Sequence, residues 1–334
     1  MSGKRKQRSL EVETGHETIR IGPHFEVSFQ RTLRIPDDGN DYPLPPGLGR
    51  LPVRRVEDYL ETAPALWRKH GGVFIPLHVR DALWLSFSVP GHRACAVKVG
   101  AGRINAVSGE EWSPELTGDS EDPDYLVCPD QPWLDGFNSG NGFIRQFVAT
   151  PLGLGYTVEE QITGAAEFGG IQLRVFEPKP GCFPDEAPAP PPGSHLLNDE
   201  MAVCCLSDVD SSMGLGAGGR MVQKIYPDPH GVETWDPSRS GEVHIHLADP
   251  ATYEQVTGEP APPTPVNADL YTSYGYPWFE LEDDHLGDVP RSDELARVRS
   301  VKEVDVAKGT LGADEGSIDV PEKQVVGLAA TKGV

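Results

Sequence analysis

Apolar and polar residues alternate along many short stretches of this chain, the pattern of strands with one buried face. Phe25, Val27, Phe29, Leu33 and Ile35 fall on one such face before the turn-forming run Pro36-Asp37-Asp38-Gly39. The same alternation predicts strands over 73–79, 83–87, 94–99 and 103–107, the last two joined across Gly100-Ala101-Gly102 as a hairpin. Further strands are expected over 125–128, 143–149, 170–176, 201–206, 221–226, 243–247 and 300–306.

Helix signals are fewer and short. Thr62-Ala63-Pro64 opens a helix carrying Leu66 and Trp67 that stops at Gly71-Gly72, by the preference for proline at a start and glycine past an end. Thr157-Val158-Glu159-Glu160 is a capping box, closed by Gly164. Asp249-Pro250 starts a third helix, ending at Gly258, and a fourth spans about 292–298. The expected fold class is mainly β, a β-rich α+β chain of antiparallel, sandwich-like units with a few short helices.

Composition divides this pattern into segments. Residues 1–22 begin with Lys4, Arg5, Lys6 and Arg8 and read as a disordered basic tail. A first β-rich unit follows over 23–177, a proline-rich linker over 178–195, a second β-rich unit over 196–306 and a disordered tail over 307–334. Two short patterns occur once in each half. Gly142 to Gln146 matches Gly219 to Gln223, and Glu160-Gln161-Ile162-Thr163-Gly164 matches Glu254-Gln255-Val256-Thr257-Gly258. A third pair, Pro132-Trp133-Leu134-Asp135 and Pro277-Trp278-Phe279-Glu280, breaks the order that a tandem copy would keep.

Charge narrows the partners. The whole chain carries −22, yet its first sixty residues hold ten basic and nine acidic side chains, so the remainder is strongly acidic. Such a surface repels phosphate backbones, and neither nucleic acid nor an anionic membrane is expected as a partner. The longest apolar runs reach roughly eight residues, against the roughly twenty that a membrane helix needs. The five cysteines Cys95, Cys128, Cys182, Cys204 and Cys205 form no C-x-x-C pair. Reduced thiols and a cytoplasmic location are therefore expected.

Candidate chemistry is sparse. His244-Ile245-His246 places two imidazoles on one face of a strand and Asp249 follows at its end, a set able to hold a divalent metal with open positions. Gly214 to Gly219 fits G-x-G-x-x-G, but the long helix that a dinucleotide loop requires does not follow it, and a flexible glycine loop is expected instead. Asp208-Val209-Asp210 resembles the nucleophile strand of aspartyl-phosphate enzymes only locally, because crossover helices are missing. Trp133 with Asp135, and Trp278 with Glu280, place an aromatic ring beside a carboxylate at a strand end, a common contact for a sugar or a peptide.

No constellation reaches the specificity of a catalytic site. The expected function is a non-catalytic binding or assembly protein that contacts a protein or carbohydrate through Trp133, Asp135, Trp278 and Glu280, with no cofactor. The alternative is a metal-dependent hydrolase using His244, His246 and Asp249.

Overall fold

The computed structural model describes residues 9–90, 92–184, 212–263, 266–282, 287–310 and 316–329. Among these, seventeen strands form one hydrogen-bonded, largely antiparallel network, and six helices of four to eight residues sit at its margins. The mainly β class follows from the alternation. In Phe25–Thr32, for example, Phe25, Val27 and Phe29 are completely buried. That strand pairs over its length with Ala82–Ser88, which is how two half-polar strands hide their apolar faces together.

Strands on either side of the expected linker pair with each other. Phe143–Pro151 runs antiparallel to Ser212–Val222, and Ile171–Pro178 runs antiparallel to Trp235–Ala248. The stretches read as separate units thus share one sheet. They also share one core, in which Phe29 and Val97 pack in the same cluster as Met213 and Ile245. The linker itself falls outside the described residues from 185 onward, together with the strand expected over 201–206.

Four further expectations change. Residues 9–22 are part of the sheet: Val12–Thr14 pairs with Thr18–Ile21, and Ile19 and Ile21 are completely buried. The glycine run 214–219 is a strand, not a loop. A Cβ on Gly219 would meet the Pro36 carbonyl oxygen at 2.2 Å, and one on Gly218 would meet Val148 at 2.6 Å. Close approach of neighbouring chain, not freedom, explains these glycines. The segment 300–306 is helical, spanning Val301–Lys308, because Ser300 and Glu303 form a capping box. The stretch read as a disordered tail carries the strand Val325–Ala329, which pairs in parallel with Trp278–Glu282.

The repeated pentapeptides form equivalent helix ends. Thr163 Oγ1 donates to the Glu159 carbonyl at 2.8 Å and Thr257 Oγ1 donates to the Tyr253 carbonyl at 2.7 Å. Gly164 and Gly258 then cap in the left-handed conformation. The strands before them differ. The segment 142–146 begins the strand that leads directly into Val158–Thr163, whereas the whole strand Trp235–Ala248 intervenes between the segment 219–223 and Pro250–Thr257. No helix among the described residues is long and apolar enough to cross a membrane.

Candidate functional site

Of the two aromatic motifs found in the sequence, one has its ring in the core. Trp278 is completely buried, and its indole N–H donates to Thr272 Oγ1 at 3.1 Å. Glu280 is exposed, but the ring expected beside it faces the core. Trp133 is half-buried on a two-residue strand opposite Ser86. Asp135 is buried, and loss of solvation pushes its carboxyl up to about 8. The aromatic rings that this part of the chain does present are Tyr274 and Tyr276, 65% and 52% exposed with ring centroids 6.0 Å apart. Both precede Trp278 by an even spacing, and a polar, glycine-containing loop holds them out.

His244 and His246 do share a face, as a spacing of two in a strand requires. Their rings stack at 4.3 Å and 16°. Asp249 does not complete a metal site with them. It is the N-cap of Pro250–Thr257, accepting the N–H groups of Ala251 and Thr252 and the Thr252 hydroxyl. Among the described residues no group of three or more His, Cys, Asp or Glu side chains is placed to hold a metal ion. Asp208 and Asp210 lie outside the described residues, as do Cys204 and Cys205. Cys95 and Cys128 face one another across two strands inside the core, and burial pushes both thiols up, away from the reactive thiolate.

The histidine pair belongs to a longer stack. Trp67 lies against His246 at 5.4 Å, His70 against His244 at 5.3 Å, Phe168 against His70 at 5.2 Å, and the Arg103 guanidinium carbon 4.9 Å from the Phe168 ring centre. Four segments distant in the sequence meet here. Ala65–His70 is brought in by the parallel pairing of Val73–Pro76 with residues 245–248. Gly72 makes that approach possible, since at φ 85° a Cβ would sit 2.1 Å from the His244 carbonyl oxygen. Phe168 is held by Glu159, whose buried carboxylate accepts the N–H groups of Glu167, Phe168 and Gly169, each at 2.8 Å.

Burial keeps the imidazoles neutral, and hydrogen bonds hold them in place. The Gln172 amide donates to His244 Nε2 at 3.1 Å, and His246 Nε2 donates to the Gly71 carbonyl at 2.9 Å. Burial, with the neighbouring His246 and His70, lowers His244 to about 2, and burial lowers His246 to about 4. His70 is lowered by burial and by the charges of Lys69 and Arg103.

The sign of the pH effect follows. His246 stays neutral in the fold below its ordinary 6.5, where the unfolded chain takes up a proton, so its stabilisation is complete above pH 6.5 and lost as pH falls toward 4. Relative to a His246→Phe variant, wild-type stability should drop by about 1.4 kcal/mol per pH unit across that window. Urea unfolding of both proteins between pH 4 and 7 reads the difference, and parallel curves would refute it.

Arg103 stands at the outer end of the stack. It occupies the second place of the tight turn Gly102-Arg103 between Cys95–Ala101 and Ile104–Asn105, with φ of 59° and 60° at the two residues. Glycine or asparagine is the low-cost choice there, and arginine is strained. Two cavities flank the side chain and share Arg103 and Phe168. One, of about 270 Å³, is lined also by His70, Gln172, Glu242 and His244. The other, of about 390 Å³, includes Glu111, Trp112, Glu159 and Glu167. Among the described residues Arg103 makes no ion pair, although Glu242 of the first cavity pairs with Arg174 at 2.9 Å.

Sequence reasoning found His244 and His246 but missed His70, Arg103 and Phe168. A charged residue at the second place of a glycine-led hairpin turn is a signal that was available for Arg103. Comparison with protein-family models, curated proteins and solved structures returned no match. Fold and site together define an antiparallel β protein with an arginine-centred cleft built on an imidazole and aromatic stack.

Proposed function

We propose that this chain is a non-catalytic binding protein whose ligand enters the cleft around Arg103. The observation that carries the proposal is the arginine itself, held in a strained backbone conformation with no ion pair among the described residues, between two adjoining cavities. Strain of this kind concentrates at functional positions. Asp249, the carboxylate that a metal set with His244 and His246 would need, is engaged as the cap of a helix. That supports binding over hydrolysis. Tyr274 and Tyr276 favour a second contact, with a protein or carbohydrate partner.

Arg103→Gly separates ligand binding from folding. Relief of the left-handed backbone, worth about 1 kcal/mol, offsets loss of the contact with Phe168, worth about 0.5–1 kcal/mol. The variant should therefore unfold at a temperature no lower than wild type. Titration with a set of neutral, acidic and basic fragments, followed by the ring resonances of His70 and His244, tests the site. Fragments that bind should shift those signals in wild type and not in Arg103→Gly. Binding that leaves both histidines unmoved, or no binding, would overturn the proposal.

A further inference from the structure

Opposite charges in the larger cavity are held apart. Glu111 and Glu167 line it with Arg103, yet neither is ion-paired to the guanidinium, which has no such partner among the described residues. Glu159, the third carboxylate, is already committed to three backbone N–H groups, so its charge is compensated locally. One guanidinium and two carboxylates remain to line a space of about 390 Å³. Small-molecule sites begin at roughly this size.

The fold anchors the backbones that carry Arg103 and Glu111, and the Glu111 and Glu167 side chains project from them exposed. Arg103 is anchored by its backbone: its N–H donates to Gln172 Oε1 at 2.6 Å and its carbonyl accepts the Trp112 N–H at 2.8 Å. Glu111 is anchored through its backbone bridge to Ile104. Trp112 and Phe168 supply apolar surface to the lining.

We infer that the cavity binds a small amino-acid zwitterion with an apolar side chain, its carboxylate on Arg103, its ammonium on Glu111 and Glu167, and its side chain against Trp112 and Phe168. Guanidinium suits a carboxylate because its fork matches two oxygens. Two carboxylates rather than one suit an ammonium, which offers three donors. A molecule carrying only an anion would meet those carboxylates unpaired, and one carrying only a cation would leave the arginine unpaired. This inference rests on the cleft being the ligand site.

Three probes of one shape test it: L-phenylalanine, phenethylamine, which lacks the carboxylate, and 3-phenylpropionate, which lacks the ammonium. Calorimetric titration of the full chain should show L-phenylalanine binding about tenfold or more tightly than either. In Arg103→Gly, L-phenylalanine and phenethylamine should become equal. In the Glu111→Gln, Glu167→Gln double variant, L-phenylalanine and 3-phenylpropionate should become equal. The inference is overturned if phenethylamine or 3-phenylpropionate matches L-phenylalanine in wild type, or if the variants leave the ranking unchanged. Should a singly charged probe bind best while still shifting His70 and His244, the cleft stands as the ligand site and only the zwitterion fails. If none of the three moves those signals while other fragments do, the zwitterion again fails alone; if no compound moves them, both fail.

Discussion

Asp135→Asn should gain stability over wild type steadily as pH rises from 4 to 8, by about 1.4 kcal/mol per unit and roughly 5 kcal/mol in all. Burial holds the Asp135 carboxyl at about 8, against an ordinary 3.8. Between those values the folded chain keeps the proton and the unfolded chain loses it. Stability is therefore full below pH 3.8 and lost as pH rises toward 8, after which both states are ionised and the curve flattens. Asparagine has nearly the same shape and no charge to desolvate. The backbone bonds at this position, from Asp135 N–H to Gln223 Oε1 at 3.1 Å and from Phe147 N–H to the Asp135 carbonyl at 2.9 Å, do not involve the replaced group. Guanidinium unfolding of both proteins at pH 4, 6 and 8 measures the slope, and a constant difference would show that Asp135 is ionised in the fold. His246 pulls in the opposite direction below pH 6.5, so the wild-type curve alone would conceal both effects.

Glu159→Ala should destabilise the chain by about 3–5 kcal/mol, because three backbone donors lose their acceptor together and an unmade buried hydrogen bond costs about 1–3 kcal/mol each. Glu159 is 2% exposed, and the three donors it gathers are the N–H groups of residues 167–169. Gly102 records the same closeness from the other side, since a Cβ there would lie 2.4 Å from a Glu159 carboxylate oxygen. With the loop released, Phe168 leaves the stack, and the His70 ring resonances should move even in protein that remains folded. Glu159→Gln keeps one acceptor oxygen and should lose less than half as much. Thermal or denaturant unfolding of the two variants gives the ranking. Equal, small losses would mean that water takes over the three N–H groups at little cost.

Local physics was legible where a few adjacent residues suffice. The capping box at Thr157, the Asp249 cap and the glycine stops at 164 and 258 all lie where the sequence puts them, because a cap is satisfied within four residues. The same rule applied at Ser300 and Glu303 identifies the Val301–Lys308 helix, where alternation alone misleads: Val301, Val304 and Val306 read equally well as strand or helix over so short a run. Trp278 shows the reverse limit. Its flanking proline and carboxylate suit an exposed contact, and only the packing of Trp278–Glu282 between Leu44 and Val325–Ala329 puts the ring inside.

The cleft was not legible for a similar reason. His70, Arg103, Phe168 and His244 are separated by many tens of residues, and what joins them is strand register: Gln172 opposite His244, and Val73 beside Ile245. A slip of one residue in either pairing would turn the imidazoles to the other face. The sequence by itself determined the mainly β class, the short capped helices and the shared face of His244 and His246, all set by neighbours along the chain. Tertiary structure decided that both halves build one sheet, that Asp249 caps a helix, and that an arginine in a strained turn overlooks the cleft. Those outcomes depend on which strands pair and how closely their backbones approach, and that is a free-energy balance over the whole core.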